Sequence, residues 1–333
     1  MIQKASYYYA QGTDPYQNIA DESILLEMVE PGELILFLWQ NLNTVVIGRN
    51  QNCWVECRVE ELERDGGFLA RRLSGGGAVY HDLGNVNFTF LVREKDFDLE
   101  KQNLVIKKAM EQLGLETERS GRNDLLIDGR KFSGHAYYKQ GDNRYHHGTI
   151  LVDVNTEAME KYLSASKNKM QSKGVKSVRS RVANLIEFLP DLKTQSIYSA
   201  FITAAQEVYQ LELVEKSLGD LDRNIRLDRR NQFSSPAWLY GPKLPLKLIV
   251  QERYTWGEVT LELTVEQGTI EEVRVYSDAM DWAWVEKFSH YLVGKHFQEE
   301  ILLQKVEDFQ TTETSLSAEQ IEDLRHLVQQ CFK

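Results

Sequence analysis

Cysteine is scarce in this 333-residue chain, which has three: Cys53, Cys57 and Cys331. That number and spacing exclude a disulfide framework and a four-thiolate zinc site. Between Arg58 and Gln330 there is no thiol nucleophile at all. No apolar run approaches the roughly 20 residues of a bilayer-spanning helix. The opening MIQKASYYYAQG lacks a hydrophobic segment of signal-peptide length, so a soluble cytoplasmic protein is expected, with no membrane partner. Positive charge is also short, with 39 Lys and Arg against 50 Asp and Glu for a formal net charge of −11. That balance argues against a general nucleic-acid surface. The spacings G-x-G-x-x-G and Gly-Lys-Ser/Thr are absent, which excludes the common dinucleotide and P-loop fingerprints. The length points to more than one domain.

What is present is a run of three glycines inside Arg71-Arg72-Leu73-Ser74-Gly75-Gly76-Gly77-Ala78-Val79-Tyr80-His81-Asp82. Glycine bends where other residues cannot, and successive backbone N–H groups in such a bend converge on anions. A neighbouring guanidinium adds a planar fork of donors suited to phosphate or carboxylate. An anionic small molecule is one reading of this stretch, and a tight β-hairpin without a ligand is the other.

Three further blocks follow in order. They are Ser120-Gly121-Arg122-Asn123-Asp124 continuing through Asp128-Gly129-Arg130-Lys131-Phe132-Ser133-Gly134, then His146-His147-Gly148-Thr149, then Lys176-Ser177-Val178-Arg179-Ser180-Arg181. With RRLSGGGAVYHDLGNVNFTF they resemble the lipoate–protein ligase family. The resemblance starts at Asp14-Pro15-Tyr16-Gln17-Asn18 and runs to the carboxyl end, most weakly after about Gly241.

The local patterns predict helices over Asp14–Glu30, Val59–Arg64, Leu99–Leu113 and Gln195–Leu211. They also predict paired strands at Glu33–Trp39 and Thr44–Ile47, strands flanking the glycine loop, and a β-rich stretch over 124–153. On the Leu99–Leu113 helix, Leu104, Val105, Ala109 and Leu113 form the apolar side. Strands and helices without regular β-α-β alternation favour an α+β fold around a mixed sheet. The resemblance implies the biotin/lipoate ligase fold for it. A boundary is expected in the Pro- and Gly-rich segment near 241–248. It separates a catalytic domain at 1–245 from a small α+β accessory domain at 246–333, which has strands at Glu258–Val265 and Ile270–Tyr276 and helices at Asp281–Val293 and Ser317–Phe332.

The resemblance implies an ATP-dependent enzyme. Lipoate attacks the α-phosphate of ATP, pyrophosphate leaves, and a lysine ε-amine of an acceptor protein displaces AMP from lipoyl-AMP. It assigns Lys131 as the catalytic lysine. ATP and adenylate contacts fall to Arg72, Ser74, Gly75, Gly76, Gly77, Ala78, Val79, Tyr80, Asn123 and Asp124, and lipoate contacts to Arg72, His81, Lys131, His147 and Gly148. Asp124 is a candidate Mg²⁺ ligand beside phosphate. The acid-free basic run containing Lys173, Lys176, Arg179 and Arg181 is expected to be a flexible loop that closes on phosphate. Arg71 ranks below Arg72, as a surface residue or salt-bridge partner. Adjacent strand residues His146 and His147 point to opposite faces, which disfavours a shared metal, and at most one of His81, His146 and His147 is expected to line the acyl pocket. The family's acceptors are lipoyl domains of 2-oxoacid dehydrogenase complexes and the glycine-cleavage H protein. Two alternatives are a cysteine-dependent octanoyl or lipoyl transferase, disfavoured by the missing thiol, and a non-catalytic lipoate-binding protein.

Overall fold

The computed structural model describes residues 1–120, 124–163, 182–240, 246–277, 283–312 and 316–332. The chain forms two compact units, Met1–Leu239 and Tyr240–Lys333.

The strands of the first unit are β1 (Lys4–Tyr9), β2 (Glu33–Trp39), β3 (Thr44–Ile47), β4 (Phe68–Arg71), β5 (Val79–His81), β6 (Asn85–Arg93), β7 (Glu118–Ser120), β8 (Asp124–Ile127), β9 (Arg130–Gln140), β10 (Asn143–Leu151) and β11 (Leu213–Glu215). Eight of them build a mixed sheet in the order β11-β1-β2-β6-β10-β9-β8-β7, and three build a small sheet in the order β4-β3-β5. Period-2 alternation sorts the side chains of the large sheet. On one face Leu34, Leu36, Leu38, Phe88 and Phe90 pack with Val105, Ile106 and Ala109 of the helix Leu99–Gln112 and Phe201 and Ala204 of the helix Thr194–Tyr209. On the other face Ile35, Phe37, Trp39 and Leu91 meet Ile19, Leu25 and Leu26 of the helix Pro15–Met28. That helix starts where the carboxylate of Asp14 caps the N–H groups of Tyr16 and Gln17. A second helix, Arg223–Ser234, is clasped to it by Arg226–Asp21 and Arg230–Asp14 ion pairs.

Two expectations and one alternative reading are corrected here. Strands β2 and β3 are not partners: β2 lies between β1 and β6, and β3 between β4 and β5. Both are buried along their whole length, so their composition marks them as strands without naming a neighbour. The glycine run is not a hairpin either, because β4 and β5 each pair with β3 rather than with each other. On the helix Leu99–Gln112, Leu104 is 42% exposed, and Gln102, Ile106 and Met110 take core positions instead.

The second unit is an antiparallel sheet of β12 (Leu246–Tyr254), β13 (Gly257–Glu266) and β14 (Thr269–Ser277). Helices Ala283–Leu292, Glu299–Thr312 and Ala318–Gln330 cover one face around Trp284, Phe288 and Leu324. Gln267 and Gly268, both at positive φ, form the β13–β14 turn. Ser317 and Gln320 form a reciprocal capping box at the last helix. Strand β12 and the helix Glu299–Thr312 were not anticipated.

Candidate active site

A cavity of about 230 Å³ lies within the first unit, between the large sheet and the glycine loop. Its floor is a single cross-strand row. Trp39 on β2 pairs with Asn87 on β6, and Asn87 with Thr149 on β10. Thr149 Oγ1 accepts from the N–H of Gly134 on β9 at 3.3 Å, and Gly134 pairs with Asp124 on β8. All five line the cavity. Paired residues share a face, so the row runs roughly 19 Å, four interstrand steps of ~4.8 Å, from an indole at one end to a carboxylate at the other.

Lys131 joins this row through two local features. Asp124 opposes Gly134 and Leu125 opposes Ser133, but Leu126 opposes Lys131, so Phe132 is an extra residue in a β-bulge. Strict alternation would send Lys131 to the same face as Ser133. The bulge turns it to the cavity side and leaves Phe132 in the core. The second feature is the missing side chain of Gly134. A Cβ there would stand 2.7 Å from Lys131 Nζ and 2.9 Å from Cε. Lys131 therefore lies across the glycine, and its ammonium reaches the carboxylate of Asp124 at 2.8 Å. Both side chains are more than a third exposed, so this pair adds little to stability; its importance is positional. The backbone of Lys131 is held as well, its carbonyl accepting from Ala183 N–H at 2.9 Å.

The roof is the glycine loop, and Arg72 shapes it from inside. The buried guanidinium donates from Nη2 to the carbonyls of Gly75 and Gly77, both at 2.7 Å, from Nη1 to Val46 O at 3.0 Å and from Nε to Ser74 Oγ at 3.0 Å. Burial pulls its pKa down to about 10, which leaves it charged at neutral pH. Gly76 has φ +93°, open to glycine and strained for other residues. Gly48 is also required, since a Cβ there would fall 2.3 Å from Gly76 O. From Ser74 a buried polar chain continues to His147 Nε2 (2.7 Å), from His147 Nδ1 to Glu22 Oε1 (2.8 Å), and to Thr89 Oγ1, which donates to Glu22 (2.7 Å).

Arg72, Gly76, Gly77, Ala78, Val79, His81, Asp124, Lys131, His147 and Gly148 come together around the cavity. Ser74 and Gly75 stand behind it as partners of Arg72, and Tyr80 turns to Tyr162, ring centroids 5.9 Å apart. Arg71 is corrected: it is not a surface residue, and among the described residues it has no ion-pair partner. It is buried and donates to the carbonyls of Arg49, Gln51, Trp238 and Leu239 at 2.7–2.8 Å. The histidine expectation is also corrected, because both His81 and His147 line the cavity. His146 faces the other side, where its Nδ1 meets Gln102 Oε1 at 3.0 Å. Asn123, Lys173, Lys176, Arg179 and Arg181 lie outside the described residues. Among the described residues no His, Cys, Asp and Glu side chains group as a metal site. Sequence reasoning missed Trp39, Asn87, Gly134 and Thr149, whose only signal is the register that aligns them.

Residues 14–206 match the lipoyl protein ligase A/B catalytic domain, and residues 246–327 match the bacterial lipoate protein ligase C-terminus. The chain belongs to the lipoyl protein ligase family. A lipoate-protein ligase A of Psychrobacter cryohalolentis is 36% identical over 324 residues, covering 94% of each chain. The lipoate complex of P. falciparum LipL1 superposes with a TM-score of 0.62 at 26% identity, covering 98% of this chain and 99% of that one. A lipoate-protein ligase A bound with ATP shares the fold, with a TM-score of 0.63 at 22% identity over 72% of this chain and 99% of its own. The mixed-sheet α+β architecture is thus that of the lipoate ligases. No described helix is long and apolar enough to cross a membrane.

Proposed function

We propose that this chain is an ATP-dependent lipoate–protein ligase that forms lipoyl-AMP and passes the lipoyl group to a lysine of an acceptor protein. The observation that carries the reading is the placement of Lys131, at the carboxylate end of the channel floor and beside the glycine loop. A carboxylate and the α-phosphate of ATP repel each other, and an ammonium between them offsets that repulsion and stabilises the charge that grows on phosphorus-bound oxygen. The carboxylate oxygen bonds to the α-phosphorus as the bond to pyrophosphate breaks. In the second step the ε-amine bonds to the acyl carbon, AMP leaves with the electrons of the broken anhydride bond, and the amine gives up its proton.

Arg72 turns the Gly75 and Gly77 carbonyls inward, which supports a loop whose amides serve phosphate. Asp124 is the one acidic side chain lining the cavity among the described residues. One carboxylate plus phosphate oxygens is the usual way to hold Mg²⁺, so Asp124 fits that ion, which when bound neutralises triphosphate charge. The unit at 246–333 is proposed as an accessory domain to the catalytic domain at 1–245. Lipoyl domains of 2-oxoacid dehydrogenase complexes or the glycine-cleavage H protein are the proposed acceptors, in the cytoplasm, where ATP is available.

Lipoate-dependent exchange of pyrophosphate into ATP tests the reading. Exchange in the absence of any acceptor supports it. Acyl transfer without ATP, from a thioester donor, would replace it with the transferase. Two further outcomes are expected. Cys53 and Cys57 do not line the cavity, both are buried, and burial pushes the Cys53 thiol up to about 12. Cys53→Ser and Cys57→Ser should keep most of the exchange activity while costing about 1–3 kcal/mol of stability for a buried hydroxyl, read by denaturant titration. Gly134→Ala should leave the melting temperature nearly unchanged, because the atoms it meets end a flexible side chain, yet lower the exchange kcat by roughly tenfold or more by displacing Lys131. A native kcat in that variant would show that the lysine's position does not depend on the glycine.

A further inference from the structure

Two residues that line the cavity each carry a buried donor with no hydrogen-bond partner among the described residues. Asn87 is 2% exposed, and its Oδ1 accepts from Asn85 Nδ2 at 2.9 Å. Its own Nδ2 is buried without a hydrogen-bond partner among the described residues. His81 Nε2 is the second such atom. The tautomer of His81 follows from its neighbours. Asn18 Nδ2 donates to Gln40 O at 2.8 Å and to Asn41 Oδ1 at 3.0 Å, so the other end of Asn41 is its amide nitrogen, which donates to His81 Nδ1 at 3.2 Å. The ring proton is therefore on Nε2. Burial pushes the His81 pKa down to about 3, which keeps the ring neutral.

Their position along the channel matters. Asn87 lies two strands from Gly134, over which Lys131 lies, a separation of roughly 10 Å. Trp39 closes the row beyond it, with its indole N–H already committed to Thr89 Oγ1 at 3.1 Å and its ring 6.2 Å from that of His81. An acid held by its carboxylate at Lys131 thus carries its distal end to Asn87, His81 and the indole. A plain alkyl end there leaves both donors unmet, and an unmet buried donor is costly. A ring sulfur is a weak acceptor for N–H groups and makes favourable contacts with aromatic faces.

Resting on the ligase reading above, we infer that Asn87, with His81, is a specificity-determining residue that reads the distal end of the acyl chain, favouring acids with an acceptor atom there, such as the dithiolane of lipoate, over a straight-chain acid such as octanoate.

The test measures acid-dependent ATP–pyrophosphate exchange with lipoate and with octanoate in the full chain, its Asn87→Val variant and its Asn87→Thr variant. Valine removes the donor, and threonine keeps one. The expected result is a fall of about tenfold in the lipoate-to-octanoate ratio of kcat/KM for Asn87→Val, with octanoate gaining, and a ratio returned toward the native value in Asn87→Thr. The ratio cancels general damage to the fold, which lowers both acids together. An unchanged ratio in Asn87→Val, with exchange proceeding, overturns this inference alone. No exchange with either acid in the unaltered protein overturns the ligase reading, and this inference falls with it.

Discussion

Lys131→Ala is expected to lower lipoate-dependent ATP–pyrophosphate exchange by about 10²–10³-fold, the usual cost of removing one preorganised charge-stabilising donor. The fold should survive, because the Lys131 side chain is partly exposed and its ion pair with Asp124 is exposed too. The backbone tie to Ala183 does not depend on the side chain. The melting temperature should therefore stay close to native while the exchange rate collapses. The loss should appear in kcat rather than in KM for lipoate alone, because the ammonium does most where two anions meet in the transition state. A Lys131→Ala protein that exchanges at near-native rate would remove Lys131 from the chemistry. Asp124→Asn gives the complementary measurement, leaving the ammonium in place without its carboxylate.

Many of the residues that line the candidate site were legible in the sequence, but their arrangement was only partly so. The glycine run, Lys131 after a turn, and the adjacent His146 and His147 all declare themselves as residue types at fixed spacing. Alternation correctly sent His146 and His147 to opposite faces. The same rule fails at Lys131, because a bulge at Phe132 breaks the period and nothing in the local composition announces it. The floor row could not be read at all. Trp39, Asn87, Thr149, Gly134 and Asp124 come from five strands, and what unites them is pairing register, a property of the assembled sheet. The pairing of β2 with β3 was misjudged for a related reason, since two continuous apolar strands carry no mark of their partners.

The two arginines show that residue type names a guanidinium without naming what its donors meet. Beside three glycines, a guanidinium looks like a donor for phosphate. Arg71, expected at the surface or in a salt bridge, gathers the carbonyls of Arg49, Gln51, Trp238 and Leu239, and Arg72, which also lines the cavity, gathers those of the loop itself. Both are buried, where a charged group persists only if its donors are met. Carbonyl oxygens meet them here. The charge within the wall still favours an anion in the cavity, even though most of the donors of Arg72 are spent.

Arg72→Lys tests that division of labour. Lysine keeps the charge but offers a single point from which three bonds radiate, whereas the guanidinium spans Val46 O, Ser74 Oγ and the carbonyls of Gly75 and Gly77 in fixed directions. Satisfying all four from one ammonium is geometrically excluded, so about two acceptors lose their donor, at roughly 1–3 kcal/mol for each that is Val46 O or Ser74 Oγ, which are buried, and less for the glycine carbonyls. The melting temperature should fall accordingly. The loop's inward carbonyls should then swing free, and exchange should drop by at least about 10²-fold, the scale expected when a catalytic loop is misplaced by an ångström. The two quantities must move together if Arg72 positions the loop. A residue whose only task is to touch phosphate would give a different pattern, a raised KM for ATP with the melting temperature unchanged. If Arg72→Lys instead retains both native stability and native exchange, the loop is shaped by Gly48 and Gly76 alone, and the hydrogen bonds of Arg72 follow from the loop's conformation rather than setting it.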